Sequence, residues 1–325
     1  MIVPSYTLPN ENIFDFRQRE WKESKILDTV RDMLSCAEKY DISTKKISFS
    51  SSKTKNDQSE IKKTISRLLK ISIALAGGTK LIELKYDIPW LQNNYFYIAG
   101  NRKIPIFQMF DKPLIVRGDM VKIRTNIQTV QMTYTPGKKN SYNYNLNIFN
   151  KKIPLVYFLL SMYGEDELLK MYSLTEGEVV APRKFSLIED VKRVVEDEVL
   201  DTTKIFARFF RGKSDSDIIE NILLLTEVDI FSKRYMYTEN IITELLWSID
   251  AMDKAKSGDE EYISRLDDCS LENKRIRCIE YFLYHFLAKD FYNMIVSLKR
   301  TKRDSFSNNS KVILINANTS PVVPY

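Results

Sequence analysis

Residues 84–113 read LKYDIPWLQNNYFYIAGNRKIPIFQMFDKP, and the fold is read outward from them. Two apolar runs, residues 95–99 and 104–107, flank Gly100-Asn101. A Gly-Asn pair accepts the positive φ that a two-residue hairpin turn needs, so the runs are expected to pair, with alternate side chains on opposite faces. Residues 81–86 supply a further strand that ends at Ile88-Pro89, making a three-stranded antiparallel unit with Asn101-Arg102-Lys103 at its polar tip. Pro105 has no N–H to donate, which places the last strand at an edge or kinks it.

Upstream, Phe16, Trp21, Ile26, Leu27, Val30 and Leu34 recur at helical spacing, so one or two amphipathic helices are expected over 13–40. Residues 44–60 are rich in Ser and Lys and read as an exposed loop or short strand pair. Ile61, Ile65, Leu68, Leu69 and Ile73 predict a helix closed by Gly77-Gly78. Downstream, Val121, Ile123, Ile127, Val130, Met132 and Tyr134 alternate with polar residues. With a turn at Pro136-Gly137 and a returning strand over 142–149, they predict a second sheet. Residues 153–172 read as two helices split at Gly164, with Glu165 and Asp166 at the positive start of the second. Residues 185–255 are almost wholly helical in pattern, with N-cap signatures at Asp215-Ser216-Asp217 and Thr238. The longest periodic run, 271–298, carries Ile276, Ile279, Phe282, Leu283, Phe286, Leu287, Phe291, Met294, Ile295 and Leu298 on one face and ends in Lys299-Arg300-Thr301-Lys302-Arg303. The tail, 304–325, is polar and then apolar and reads as the start of a further segment. The fold class is α+β.

A chain of 325 residues has core enough for two domains. Nine glycines and ten prolines exclude collagen-like and mucin-like regions. A net charge of +6 suits either a lysine-rich solvated surface or a nucleic-acid partner. Cys36, Cys269 and Cys278 show no paired spacing, and His285 is the single histidine, which excludes a structural zinc site. His285 reads as a packing residue of the last helix, and the cysteines as small buried hydrophobes of a reducing compartment. No basic leader with an apolar core opens the chain, and no segment approaches the roughly 20 apolar residues that cross a bilayer, so a soluble intracellular protein is expected. Gly77-Gly78 lacks phosphate-loop spacing. Asp215 and Asp217 could form half of a two-metal nuclease site, but a helix N-cap explains them better. Arg102-Lys103, Lys151-Lys152 and the 299–303 cluster can meet phosphates, although cations at a helix C-terminus are also favoured by the macrodipole. No catalytic constellation and no metal site emerges.

Ile88-Pro89, Phe96, Ile98, Gly100, Lys103, Ile106 and Gln108 follow in the order of an N-terminal motif of the β subunit of multisubunit DNA-dependent RNA polymerases. Two more matches fall in order: Lys151-Lys152-Ile153-Pro154 with Leu159-Leu160 and Glu167-Leu168-Leu169, and Asp267-Asp268 with Leu271-Glu272-Asn273-Lys274-Arg275-Ile276-Arg277. The chain therefore resembles the N-terminal part of that subunit. It departs from the family at Met109-Phe110-Asp111-Lys112-Pro113, where bacterial members carry His-Arg-Ser-Pro, and at Glu272, where they carry Gly. It is shorter than cellular β subunits and most resembles a split β subunit of a giant bacteriophage polymerase, which the AT-rich residue usage suits.

The resemblance implies a protrusion domain over 1–113 and 268–325, the return segment leading into the fork region, interrupted by a mostly helical lobe with a small sheet over 114–267. It implies a non-catalytic component of a nucleotidyltransferase, forming one wall of the DNA cleft. It implies no cofactor in this chain and a catalytic Mg2+ held by the β′ partner. Implied partners are the C-terminal β polypeptide, the β′ polypeptides and promoter and downstream DNA, with a promoter-specificity subunit as a further candidate and no membrane. The setting implied is the cytoplasm of the infected bacterial host. Arg102, Lys103, Lys274, Arg275, Arg277, Lys299, Arg300, Lys302 and Arg303 are the candidate nucleic-acid contacts. For Lys274, Arg275 and Arg277, capping or pairing inside the protrusion is an equal alternative. The other reading of the chain is a stand-alone nucleic-acid-binding or virion structural protein.

Overall fold

The computed structural model describes residues 21–50, 53–54, 64–75, 81–93, 95–104, 106, 108–137, 141–174, 180–196, 205–277 and 280–304. Expectations for residues 13–20, 55–63 and 305–325, and for Gly77, Gly78, Pro105, Cys278 and Ile279, lie outside them. The chain forms two compact units, the first from residues 1–108 and 277–325 and the second from 109–276. The fold is α+β.

In the first unit, α1 (Glu23–Leu34) buries Ile26, Val30, Met33 and Leu34 on one stripe. A 3₁₀ turn (Ser35–Tyr40) ends with Asp41 in the left-handed region, and β1 (Ile42–Phe49) follows. Next come β2 (Lys53–Thr54), β3 (Ile65–Leu75) and β4 (Leu81–Pro89). β3 is central and antiparallel to the other three. The helix expected over 61–75 is therefore a strand from Ile65 to Leu75. Leu68 and Leu69 suit either period, but Leu69, Ile71 and Ile73 alternate, are at most 1% exposed, and two of them are β-branched. They share the core face with Leu84, Tyr86 and Ile88 of β4.

The hairpin is built from β5 (Leu91–Gln92), β6 (Tyr95–Ile98) and β7 (Asn101–Lys103), paired in that order. Ile98 pairs with Asn101, so the turn is Ala99-Gly100, with φ of 48° and 80°, one residue earlier than expected. Both central positions of this turn need positive φ, and Gly suits the second. Asn101, Arg102 and Lys103 are consequently strand residues, not a tip. β4 joins β3 instead of the hairpin, and β5 takes the expected third place.

The second unit is entered through β8 (Gln108–Asp111). β9 (Leu114–Arg117), β10 (Met120–Arg124), β11 (Thr129–Tyr134), β12 (Tyr144–Ile148) and β13 (Lys151–Pro154) then form an antiparallel meander in sequence order. Val121, Ile123, Val130, Met132, Leu146 and Ile153 are buried, as the alternation predicts. α2 (Leu155–Tyr163) buries six consecutive residues, 155–160, which makes it a helix surrounded by its own unit. Gly164, at φ 75° and ψ 170°, separates it from α3 (Glu165–Tyr172).

α4 (Pro182–Glu196), α5 (Asp215–Val228), α6 (Ile230–Lys233), α7 (Ile241–Lys256) and α8 (Glu260–Leu266) complete the helical layer. Ser214 caps α5, and Asn240, not Thr238, caps α7. A 3₁₀ turn (Leu271–Asn273) leads to β14 (Lys274–Arg277), which pairs with β8. The last helix, α9 (Glu280–Asp304), belongs to the first unit. It begins well after Leu271, because Leu271 and Ile276 are 75% and 65% exposed and take no part in the buried stripe of Leu283, Leu287, Phe291, Ile295 and Leu298.

Several carboxylates tie loops to helices in the second unit. Asp190 on α4 accepts from the backbone N–H of Asn143 (2.8 Å) and Tyr144 (2.9 Å). Asp229 accepts from Asn126 N (2.5 Å) and Ser232 N (3.3 Å), and Asp253 from Arg183 N (3.3 Å) and Lys184 N (3.0 Å) at the start of α4. Glu244 accepts from Tyr237 N and Thr238 N, both at 3.0 Å. Burial pushes Asp190 up to about 6 and raises Asp229 and Glu244, while these N–H donors pull each of them down.

Candidate nucleic-acid interface

Arg102 and Lys103 stand on β7, in the hairpin of the first unit. Arg102 is exposed, with its guanidinium 5.9 Å from the Tyr95 ring and 5.7 Å from the Tyr97 ring. At an exposed site such contacts are worth about 0.5–1 kcal/mol each, enough to orient the cation without burying it.

Lys274 and Arg275 lie on β14 and are engaged locally. Lys274 Nζ is 2.6 Å from Asp111 Oδ1 on the paired strand, and that hydrogen bond holds its ammonium above the usual lysine range. Arg275 donates to the carbonyls of Glu272 (2.9 Å) and Lys274 (2.8 Å), and its guanidinium lies 4.9 Å from the Tyr235 ring. The buried Asn273 joins the two strands further. It donates to the carbonyls of Ser264 (2.7 Å) and Asp267 (2.6 Å) and accepts from Lys112 Nζ (2.5 Å). Lys112 also donates to Tyr237 Oη, and its backbone N–H reaches Asn273 O at 3.2 Å. Arg277 belongs to the same strand, and its side chain lies outside the described residues.

At the end of α9, Lys299 is 9% exposed with its ammonium 4.2 Å from the Tyr40 ring, whereas Arg300 is exposed. Lys302 and Arg303 fall in the last turn, with side chains outside the described residues. The nine expected contacts therefore stand on three elements: β7, β14 and α9.

The candidate metal site takes a structural form. Asp215 accepts from Ile205 N (2.7 Å) and Phe206 N (3.1 Å), and Asp217 from Ser214 Oγ (2.6 Å). Among the described residues one group of potential ligands is compact, Asp267, Asp268 and Cys269, and there Arg117 donates twice to Asp268, at 3.0 and 2.9 Å. Two expectations are corrected. His285 is exposed, stacked 6.1 Å from Tyr281, because it faces away from the stripe of Leu283 and Leu287. Cys269 is exposed also, whereas Cys36 is buried.

Sequence reasoning missed Arg193, Arg208 and Lys213 in the second unit, each held over an aromatic ring. A sequence signal exists for Arg208 and Lys213 alone, and it is negative: no acidic residue occurs between 202 and 213, whereas Arg193 lies among Glu189, Asp190 and Glu196. Comparison with family models and with curated protein sequences returns no match. Among the described residues, no helix is long and apolar enough to cross a membrane.

Proposed function

We propose that this chain is the N-terminal portion of the β subunit of a DNA-dependent RNA polymerase, of the split kind found in giant bacteriophages. The first unit is the protrusion and the second the lobe. The chain contributes one wall of a DNA cleft in the assembled enzyme, working in the infected host's cytoplasm, while the β′ partner holds the catalytic Mg2+. Lysine and arginine contacts to phosphates position DNA without reading its sequence.

One observation carries the reading beyond motif order. The third motif and the departing stretch that directly follows the first are far apart in sequence, yet they meet in the β8–β14 pair, joined by Asp111 and Lys274, 163 residues apart. They flank the two points where the chain passes between its units, at 108/109 and 276/277. An inserted domain needs such paired crossings, which a stand-alone binding protein does not. The test is tandem-affinity purification of the tagged chain from infected cells in high salt. A C-terminal β polypeptide and β′ polypeptides should co-elute with template-dependent synthesis, the isolated chain being inactive. A chain that elutes alone, or that incorporates nucleotides alone, overturns the reading.

A further inference from the structure

The cations of the second unit are unevenly spread along its sequence. Residues 120–164 hold six Lys and Arg with no Asp or Glu, and residues 202–213 hold four with none. Together they exceed the net charge of +6 of the whole chain, so the rest is net acidic.

Folding brings parts of these segments together. Phe149 and Asn150, at φ 50° and 58°, turn the chain from β12 into β13 and leave Lys151 and Lys152 exposed on it. Lys213 Nζ lies 6.0 Å from the Phe149 ring and 5.8 Å from that of Phe210, and these two rings meet edge to face at 6.2 Å. Arg208 lies 5.2 Å from the Tyr157 ring and 5.9 Å from the Phe209 ring. Tyr157 meets Tyr142 at 5.5 Å, and Arg193 covers Tyr142 at 5.0 Å. Arg208, Arg211 and Lys213 are exposed, and Phe149 and Phe209 are half-buried.

We propose that this face, carried by Lys151, Lys152, Arg193, Arg208, Arg211 and Lys213, binds the phosphodiester backbone of nucleic acid. A solvated lysine surface mixes its cations with carboxylates, and the two segments that supply five of these six cations, all but Arg193, have none. Long cations held over rings are oriented before a partner arrives, which lowers the ordering cost of binding. Cations interleaved with partly exposed rings suit a strand whose phosphates run along a groove and whose bases meet aromatic edges. Lys151 and Lys152 stand in the second motif of the polymerase resemblance, but none of the six is among the nine contacts that resemblance implies, and the binding test needs no polymerase partner. A chain that purifies alone yet binds oligonucleotides through this face keeps the inference.

The experiment measures anisotropy of labelled single-stranded and duplex oligonucleotides with the full chain across a salt series. Log affinity falls with log salt by about 0.7 per neutralised phosphate for single strands and about 0.9 for duplex, so the arms separate the two forms. The variant K151E/K152E/R211E/K213E keeps Arg193 and Arg208 on their rings. It is expected to lose at least about tenfold in affinity and about 3 in salt slope. The control K45E/K46E/K70E/K85E makes the same charge change on exposed positions of the first unit and should leave the slope within about 1. An unchanged first variant, or equal losses in both, overturns the proposal. Anionic phospholipid vesicles bound as tightly as the oligonucleotides, and lost in the same variant, overturn the assignment to nucleic acid.

Discussion

Asp190 allows a quantitative test of how the second unit is held together. Its carboxylate is 2% exposed, and it accepts from Asn143 N at 2.8 Å, Asn143 Nδ2 at 3.0 Å and Tyr144 N at 2.9 Å. Desolvation is the largest influence and raises it from 3.8 to about 6, the three donors and the Arg193 charge opposing. The folded-state value lies above the unfolded one, so between pH about 6 and about 4 the folded protein binds more protons than the unfolded chain. Stability from this group therefore rises as pH falls through that window, and it is lost as pH rises through about 6. A shift of about two units is worth about 3 kcal/mol.

The perturbation is Asp190→Asn, which removes the titration but keeps the shape. Whichever way the amide turns, its NH2 faces at least one N–H donor, so a constant cost of about 1–3 kcal/mol is added at every pH. The pH-dependent part is what decides. Trp247 is the single tryptophan of the second unit, so a W21F/W90F background reports that unit by fluorescence. Denaturant unfolding at several pH values should show the parent gaining about 3 kcal/mol over the Asn variant between pH about 7 and about 4. Parallel profiles would refute the reasoning. A parent that loses ground as pH falls would show that the hydrogen bonds outweigh burial.

Two further outcomes follow from the same geometry. Asn273→Ala removes two side-chain donations, to Ser264 O and Asp267 O, from a buried side chain and leaves both carbonyls without that partner; a loss of about 1–3 kcal/mol is expected in the same Trp247 assay. Gly164 sits at φ 75° and ψ 170°, where only glycine is comfortable, and a Cβ there would meet nothing within 4 Å. Gly164→Ala should thus cost about 1–3 kcal/mol from backbone strain alone, measured by the same unfolding curves.

Periodicity made the second unit legible and misled in the first. The sheet expected over 114–150 was readable because one face is buried and the other wet, so apolar residues alternate; its last strand, β13 (Lys151–Pro154), was not, because Ile153 and Pro154 run straight into the apolar helix that follows. The helix pair at Gly164 was readable because the break is a glycine. β3 was not, because Leu68 and Leu69 are adjacent and a central strand carries apolar residues on both faces, which resembles a helix stripe over short spans. The hairpin was found, but its register slipped by one residue, since Ala99 in the left-handed region has no sequence signature. Cations over aromatic rings were invisible, because Lys213 and Phe149 meet only after folding. His285 was misread for a related reason. An apolar neighbour in sequence says little about burial when successive helix positions diverge by about 100°.

The stretch where the chain departs from the polymerase pattern and the stretch where it keeps it are physically coupled. Asp111 and Lys112 stand in the departing segment, Asn273 and Lys274 in the matching one, and their side chains bind in two pairs, Asp111 with Lys274 across the β8–β14 pair and Lys112 with Asn273 at its end. Bringing such distant residues together costs loop-closure entropy that grows only slowly with length, so a few directed bonds at the crossing suffice to set it. The ion pair itself is partly exposed and weak. Asn273 is 6% exposed and bonds to three groups, so it carries more of the constraint. A residue in this motif can therefore be required by the way one unit is inserted into the other without touching a phosphate. Resemblance alone does not separate these roles for Lys274, and the carboxylate facing it favours the architectural one. The two segments that supply five of the six cations of the proposed face hold no acidic residue, so the oligonucleotide test belongs there and not at Lys274.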